Sequence, residues 1–279
     1  MLPKQSPMSA RAEQFSAFCL EASTRSGERW QHLADVVTGP DDWQRIDVYL
    51  PEATLAEGCP VFMTIHGGFW SHGYKEWHGF LADAFCDLPA IVVSVGYRLS
   101  TAAHHPAALD DCLAAVEWVY RNIREYGGDP ERIVVSGHSA GGHLAALVAL
   151  QSELLKARGV PSSVIRACLP VSAIFDTTDP GMPADRMADY LGPDTAKASV
   201  SPIHLISGRP IPFLVAYGER DMPLLIPQAQ AMVVALRAAG GEVEVVVLPG
   251  ADHFDVVMDA SNPAHPWTAA ARETLLHTK

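Results

Sequence analysis

Short apolar runs rich in β-branched residues recur along the chain, each separated from the next by a longer stretch with helical spacing. This alternation restricts the fold more than any other feature. The runs fall at 45–50, 61–65, 90–95, 132–136, 167–172, 212–217 and 242–248. Ile91-Val92-Val93 and Ile133-Val134-Val135 are apolar at every position, which suits a strand covered on both faces. Between the runs, 106–126 sets Leu109, Leu113, Val116, Val119 and Ile123 at three- and four-residue steps, giving one apolar stripe. A second helix is expected over 227–239, stopped by Gly240-Gly241, and a third over 266–276. Strands alternating with helices predict an α/β protein: a mostly parallel central sheet with helices on both faces.

Neither an internal repeat nor a linker-like change of composition divides the 279 residues, so the expectation is a single domain over 1–279. Residues 1–43 read as a helical or irregular N-terminal extension. Residues 175–201 break the alternation with Asp176, Asp179, Pro180, Gly181, Pro183 and Pro193 and carry only a weak helix near 185–191. An irregular insertion of that length is expected to serve function, here as a short lid beside a pocket.

Hydrophobic residues make up 48% of the chain, enough for a sizeable core, and the net charge is −12. An acidic surface disfavours nucleic acid and anionic membranes as partners. The five cysteines, Cys19, Cys59, Cys86, Cys112 and Cys168, form no C-x-x-C pair and are expected as buried free thiols in a reducing compartment. Arg11, Glu13 and Glu21 interrupt any secretory apolar segment, and no run of 18 apolar residues occurs. The expected location is the cytoplasm.

Gly137-His138-Ser139-Ala140-Gly141 carries the chemistry. A lone G-x-S-x-G is weak evidence, but this one follows a strand and opens an Ala- and Leu-rich helix. That is the setting of a nucleophile elbow, where a tight turn lifts the serine out of the sheet. Glycines flank it because the turn leaves no room for nearby β-carbons. The helix N-terminus adds partial positive charge where an oxyanion would form.

Upstream, His66-Gly67-Gly68-Phe69-Trp70 follows the 61–65 strand. Two glycines there let backbone N–H groups turn inward, as an oxyanion hole requires. A serine nucleophile also needs a base and an acid to orient it. His253 lies just past the 242–248 strand and Asp221 just past 212–217, both at strand ends where site loops gather. The order Ser139, Asp221, His253 is that of an α/β-hydrolase triad. Asp252 and Asp255 flank His253 and compete for the acid's role. Neighbours on a short loop rarely turn back onto one ring, so Asp221 is the expected acid.

These residues resemble an α/β-hydrolase of the kynurenine formamidase (arylformamidase) type, bordering the hormone-sensitive-lipase-like carboxylesterases. The resemblance spans about 42–257. Gly137 to Leu144, His66 to Trp70, Tyr217-Gly218-Glu219-Arg220-Asp221 and Pro249 to Phe254 are similar to formamidase motifs. Gly96-Tyr97-Arg98-Leu99, Pro106 to Asp111 and Gly127-Gly128-Asp129-Pro130 look more like the esterase side. Where esterases usually carry a third glycine, this chain has Phe69. The resemblance implies that the N–H groups of Gly68, Phe69 and Ala140 form the oxyanion hole.

His66, His72 and His78 are spaced by six, which fits no common ligand pair, so no metal is expected. No cofactor is implied. Phe69, Trp70, Tyr74 and Trp77 concentrate aromatic surface after the oxyanion loop. Packing explains Trp70 and Trp77 as well as function does. Phe69, Trp70, Tyr74 and, from the insertion, Tyr190 are the expected substrate contacts. The expected activity is cleavage of a small carboxylic ester or aryl formamide through an acyl-enzyme, with a small-molecule substrate as partner and a homodimer allowed. The alternative is a non-catalytic, small-molecule-binding member of the fold, in which triads are usually broken.

Overall fold

The computed structural model describes residues 3–52, 58–100 and 102–277. Eight strands form one sheet: β1 (Gln31–Val37), β2 (Arg45–Leu50), β3 (Cys59–Ile65), β4 (Ile91–Val95), β5 (Gly128–His138), β6 (Ile165–Val171), β7 (Phe213–Gly218) and β8 (Val243–Leu248). Their order across the sheet is β1-β2-β4-β3-β5-β6-β7-β8. The β1–β2 and β2–β4 pairs are antiparallel, and every later pair is parallel. The described helices are α1 (Ala10–Arg29), α2 (Ala82–Phe85), α3 (Ala107–Asn122), α4 (Ala140–Leu150), α5 (Glu153–Ala157), α6 (Ala184–Leu191), α7 (Leu225–Ala238), α8 (Asp255–Met258) and α9 (Pro266–His277). This is the α/β-hydrolase arrangement. None of these helices is long and apolar enough to cross a membrane.

The continuous apolar runs are explained by two cores, one on each face of the sheet. Successive strand side chains point to opposite faces. Val61, Met63 and Ile65 of β3 face one core with α3, α4 and α7, while Phe62 faces the other with α1, α2 and α9. Ile133 and Val135 divide from Val134 in the same way. Each such side chain contributes about 1.5–3 kcal/mol by leaving water, so register is strongly fixed: a one-residue slip would exchange the two cores.

The seven expected strands are present, with ends moved by a few residues. The strand that the sequence does not announce is β1. It pairs antiparallel at the sheet's edge and is largely exposed, so it needs no apolar run. Ahead of it, the N-terminal extension holds a 20-residue helix, α1, whose start is capped by Ser9 Oγ accepting the Ala12 N–H at 3.1 Å. Phe15, Cys19 and Ala22 bury its inner face.

Segment 175–201 contains α6, with Met187, Tyr190 and Leu191 buried. It is tied to its surroundings by the His105 N–H donating to the Tyr190 carbonyl at 2.7 Å and by the Phe175 N–H donating to Gln228 Oε1 at 3.0 Å.

Candidate active site

Strand β5 runs straight into Ser139, whose backbone sits at φ 56°, ψ −121° before α4 begins. That conformation costs a non-glycine residue on the order of 1–3 kcal/mol. It is held by the Ser139 N–H donating to the Val171 carbonyl at 2.9 Å and by the Ser139 carbonyl accepting from the His143 N–H at 3.1 Å. The turn is so tight that a β-carbon on Gly141 would stand 2.0 Å from the Ile65 carbonyl oxygen. The glycine is required by the close approach of β3 to α4.

Three elements distant in sequence then meet. Ser139 Oγ lies 3.0 Å from His253 Nε2, and His253 Nδ1 lies 2.8 Å from Asp221 Oδ1. All three residues are buried. With Nδ1–H donating to the carboxylate, Nε2 is left to accept the serine proton. Asp221 Oδ1 also accepts the Met222 N–H at 2.7 Å, and Ser172 Oγ donates to Oδ2. Burial pushes the Asp221 carboxyl up, but the His253 hydrogen bond and charge, with the Ser172 and Met222 bonds, outweigh it and leave the group below its ordinary value. An ionised acid facing Nδ1 can hold the ring in one tautomer and stabilise it when it takes a proton. Asp252 and Asp255 bind Arg11 instead, so of the three carboxylates only Asp221 faces the ring.

The His66 loop returns beside the serine: a β-carbon on Gly67 would stand 3.1 Å from Ser139 Cβ. Gly68 has φ +111°, and a β-carbon there would meet the His72 carbonyl oxygen at 2.2 Å. Phe69 and Trp70 are also left-handed, at φ 51° and 57°. Among the described residues, the N–H groups of Gly68, Phe69 and Ala140 donate to no protein acceptor. Gly68 and Phe69 line the same cavity as Ser139.

A cavity of about 40 Å³ opens at the serine, walled by Phe69, Trp77, Met222 and Phe254 from the main body and by Met8, Ala12 and Phe15 from the N-terminus. It holds roughly three water-sized groups. A larger cavity of about 270 Å³ adjoins it, sharing Met8, Ala12 and Trp77, with Tyr74 and His72 further out.

Of the expected substrate contacts, Phe69 borders the small cavity and Tyr74 the larger one. The Tyr74 hydroxyl is engaged with the Pro3 carbonyl at 2.5 Å. Trp70 and Tyr190 are a correction. Their rings stack on each other at 4.0 Å and are buried in the core, and neither borders the two cavities. The left-handed turn at Phe69 and Trp70 sends the two side chains to different places. The Trp70 indole N–H donates to His143 Nδ1 at 3.3 Å, and His143 Nε2–H donates to the Val200 carbonyl at 2.7 Å.

Nor does segment 175–201 line the small cavity; its cover comes from the N-terminus. Met8, Ala12 and Phe15 fall at helical spacing, a signal that reads equally well as core packing. One further residue escaped the sequence reading: Ser172, at the end of β6, touches the acid, and no motif marks it. His138, which the sequence suggests only for local hydrogen bonding beside the elbow, donates Nε2–H to the distant His253 carbonyl at 2.7 Å.

The sequence matches the BD-FAE family over residues 46–236. It is 32% identical to Esterase LipQ of Mycobacterium tuberculosis, over 80% of this chain and 57% of that protein. Carboxylesterase NlhH of the same organism is 32% identical over 83% of this chain and 78% of its own length. A kynurenine formamidase of Salmo salar is 26% identical over 85% of this chain and 80% of that protein. The chain spans 57% and 61% of the lengths of LipQ and the related Esterase LipC. The structure resembles EstE1, a thermophilic carboxylesterase from a metagenomic library, with a TM-score of 0.74 and 25% identity, over 94% of this chain and 97% of that one.

Proposed function

Because the chain belongs to the BD-FAE family, we propose that it is a serine hydrolase that cleaves small carboxylic esters through an acyl-enzyme. The observation that carries this reading is the unbroken hydrogen-bond chain Ser139–His253–Asp221 at the mouth of a 40 Å³ cavity. A purely binding member of the fold has no use for a buried, ionised acid aimed at the ring that faces the serine.

In this reading Ser139 Oγ attacks the ester carbonyl while His253 Nε2 takes its proton. Asp221 holds the tautomer and steadies the imidazolium. The N–H groups of Gly68, Phe69 and Ala140 stabilise the tetrahedral oxyanion. His253 then protonates the departing alkoxide, and a water activated by the same ring releases the acid. The small cavity takes the acyl group, and its size favours acetyl-sized acyl groups; the 270 Å³ space takes the alcohol. Five buried cysteines outside any disulfide suit a reducing compartment, and the cytoplasm is the location we propose.

A formyl group would fit the same small cavity, so an aryl formamide is the second reading, supported by the likeness to the Salmo salar formamidase. The test is kcat/KM for p-nitrophenyl acetate against N-formyl-L-kynurenine on one preparation, with Ser139→Ala as control. Preferred ester turnover, reduced roughly 10⁴–10⁶-fold by the substitution, is the expected result. Formamide preference would shift the substrate class and keep the triad. Near-parental turnover by Ser139→Ala would overturn the mechanism.

A further inference from the structure

One side of the cavity is built by neither the sheet nor the loops that join its strands. Met8, just ahead of α1, and Ala12 and Phe15 in its first two turns line the cavity at the serine. Phe15 fills the gap between the two sides of the site, with its ring centroid 5.6 Å from Trp77, 5.7 Å from His138 and 5.1 Å from Phe254. The position of this one helix end therefore sets the depth of the cavity.

Arg11 fixes that position. Its Nε donates to Asp252 Oδ2 at 3.0 Å and its Nη2 to Asp252 Oδ1 at 3.2 Å, while Nη2 also reaches Asp255 Oδ1. The guanidinium carbon lies 5.7 Å from the centre of the Phe254 ring. These are not idle surface carboxylates. Asp252 Oδ1 accepts the N–H groups of Phe254 and Asp255, both at 2.8 Å, and Asp255 Oδ2 accepts the Asp252 N–H at 3.1 Å. The same two side chains thus shape the loop that carries His253 and receive the guanidinium from α1. A planar fork matched to a carboxylate has a geometric specificity that a single ammonium lacks.

We propose that Arg11 is a specificity-determining positioning residue. It clasps the start of α1 to the His253 loop and so keeps the acyl cavity short. The proposal rests on the esterase reading above. Arg11 touches neither substrate nor triad side chain; it acts through Met8, Ala12 and Phe15. The Arg11 and Asp252 side chains are about one-third exposed, at 34% and 36%, so salt should weaken the clasp.

The experiment compares the parent with Arg11→Ala and Arg11→Lys. It measures kcat/KM for p-nitrophenyl acetate, butyrate, hexanoate and octanoate at low and high salt, and amide hydrogen exchange across residues 10–18 and 252–258. Arg11→Ala should raise the hexanoate-to-acetate ratio at least tenfold and speed exchange in those two segments. Arg11→Lys should fall between, and high salt should move only the parent and the lysine variant. A ratio within twofold of the parent's in Arg11→Ala overturns the proposal whatever exchange shows. If the parent hydrolyses no ester, the functional reading fails by itself. Equal exchange in parent and Arg11→Ala would then overturn the clasp as well.

Discussion

His138 donates its Nε2–H to the backbone carbonyl of His253 across 2.7 Å, and the two rings lie 4.6 Å apart at a 41° tilt. The residue preceding the serine thus anchors the loop that brings the base. Burial lowers its pKa to about 3, and the nearby His253 charge acts in the same direction. A neutral His138 leaves the imidazolium of His253 without a like charge beside it. His138→Ala should lower kcat by roughly 10–100-fold through misplacement of the base, with KM little changed, and His138→Asn should restore part of it. Parental kcat in the alanine variant would show that the contact positions nothing.

Ser172 is the other support of the triad. Without its hydroxyl, Asp221 Oδ2 keeps, among the described residues, only the Gly218 N–H at 3.5 Å. Ser172→Ala should cost about 1–3 kcal/mol of stability for a poorly satisfied buried carboxylate and lower kcat about tenfold. Urea unfolding and steady-state kinetics on the same sample would check both. Unchanged stability would mean that water replaces the hydroxyl at no cost.

Steric demand at the elbow predicts a sharp contrast between two glycines. At Gly141 a β-carbon would meet the Ile65 carbonyl oxygen at 2.0 Å and the His66 carbonyl oxygen at 2.4 Å, both fixed backbone. Gly141→Ala should cost about 3 kcal/mol or more, or fail to fold. At Gly240, φ is +78° with nothing within 4 Å of the added carbon, so Gly240→Ala should cost only about 1–2 kcal/mol. Comparable unfolding midpoints for the two variants would contradict this.

Acid should destabilise the fold through its buried imidazoles. Burial lowers the pKa of His66 to about 4 and of His143 to about 3, and holds His78 well below its ordinary value. With His138, four rings stay neutral in the folded chain yet bind protons once unfolded. The unfolded state therefore takes up more protons as pH falls below ~6.5, and stability, full above that value, declines toward pH 4. Each ring contributes up to ~1.4 kcal/mol per pH unit. Urea midpoints at pH 7.5, 6 and 5 should fall steeply between the last two, and a flat series would refute the assignment.

The sequence by itself determined the interior of the sheet, because strands buried on both faces need unbroken apolar runs, and Val61-Phe62-Met63, Ile91-Val92-Val93 and Ile133-Val134-Val135 supply them in β3, β4 and β5. It also announced Ser139, whose turn needs small neighbours, and ordered Asp221 and His253 at strand ends. Those are local demands, written in adjacent residues. What covers the cavity was decided only by tertiary structure. Trp70 and Tyr190, aromatic and close in sequence to functional or irregular segments, turned into the core and stacked on each other. Phe15, in a stretch with no motif, became the wall. A periodic apolar position states that a side chain will be buried and not what it will be buried against. Only the packing of α1, held by Trp77, Phe80 and Asp83 some sixty residues on and by Asp252 and Asp255 more than two hundred away, made that choice.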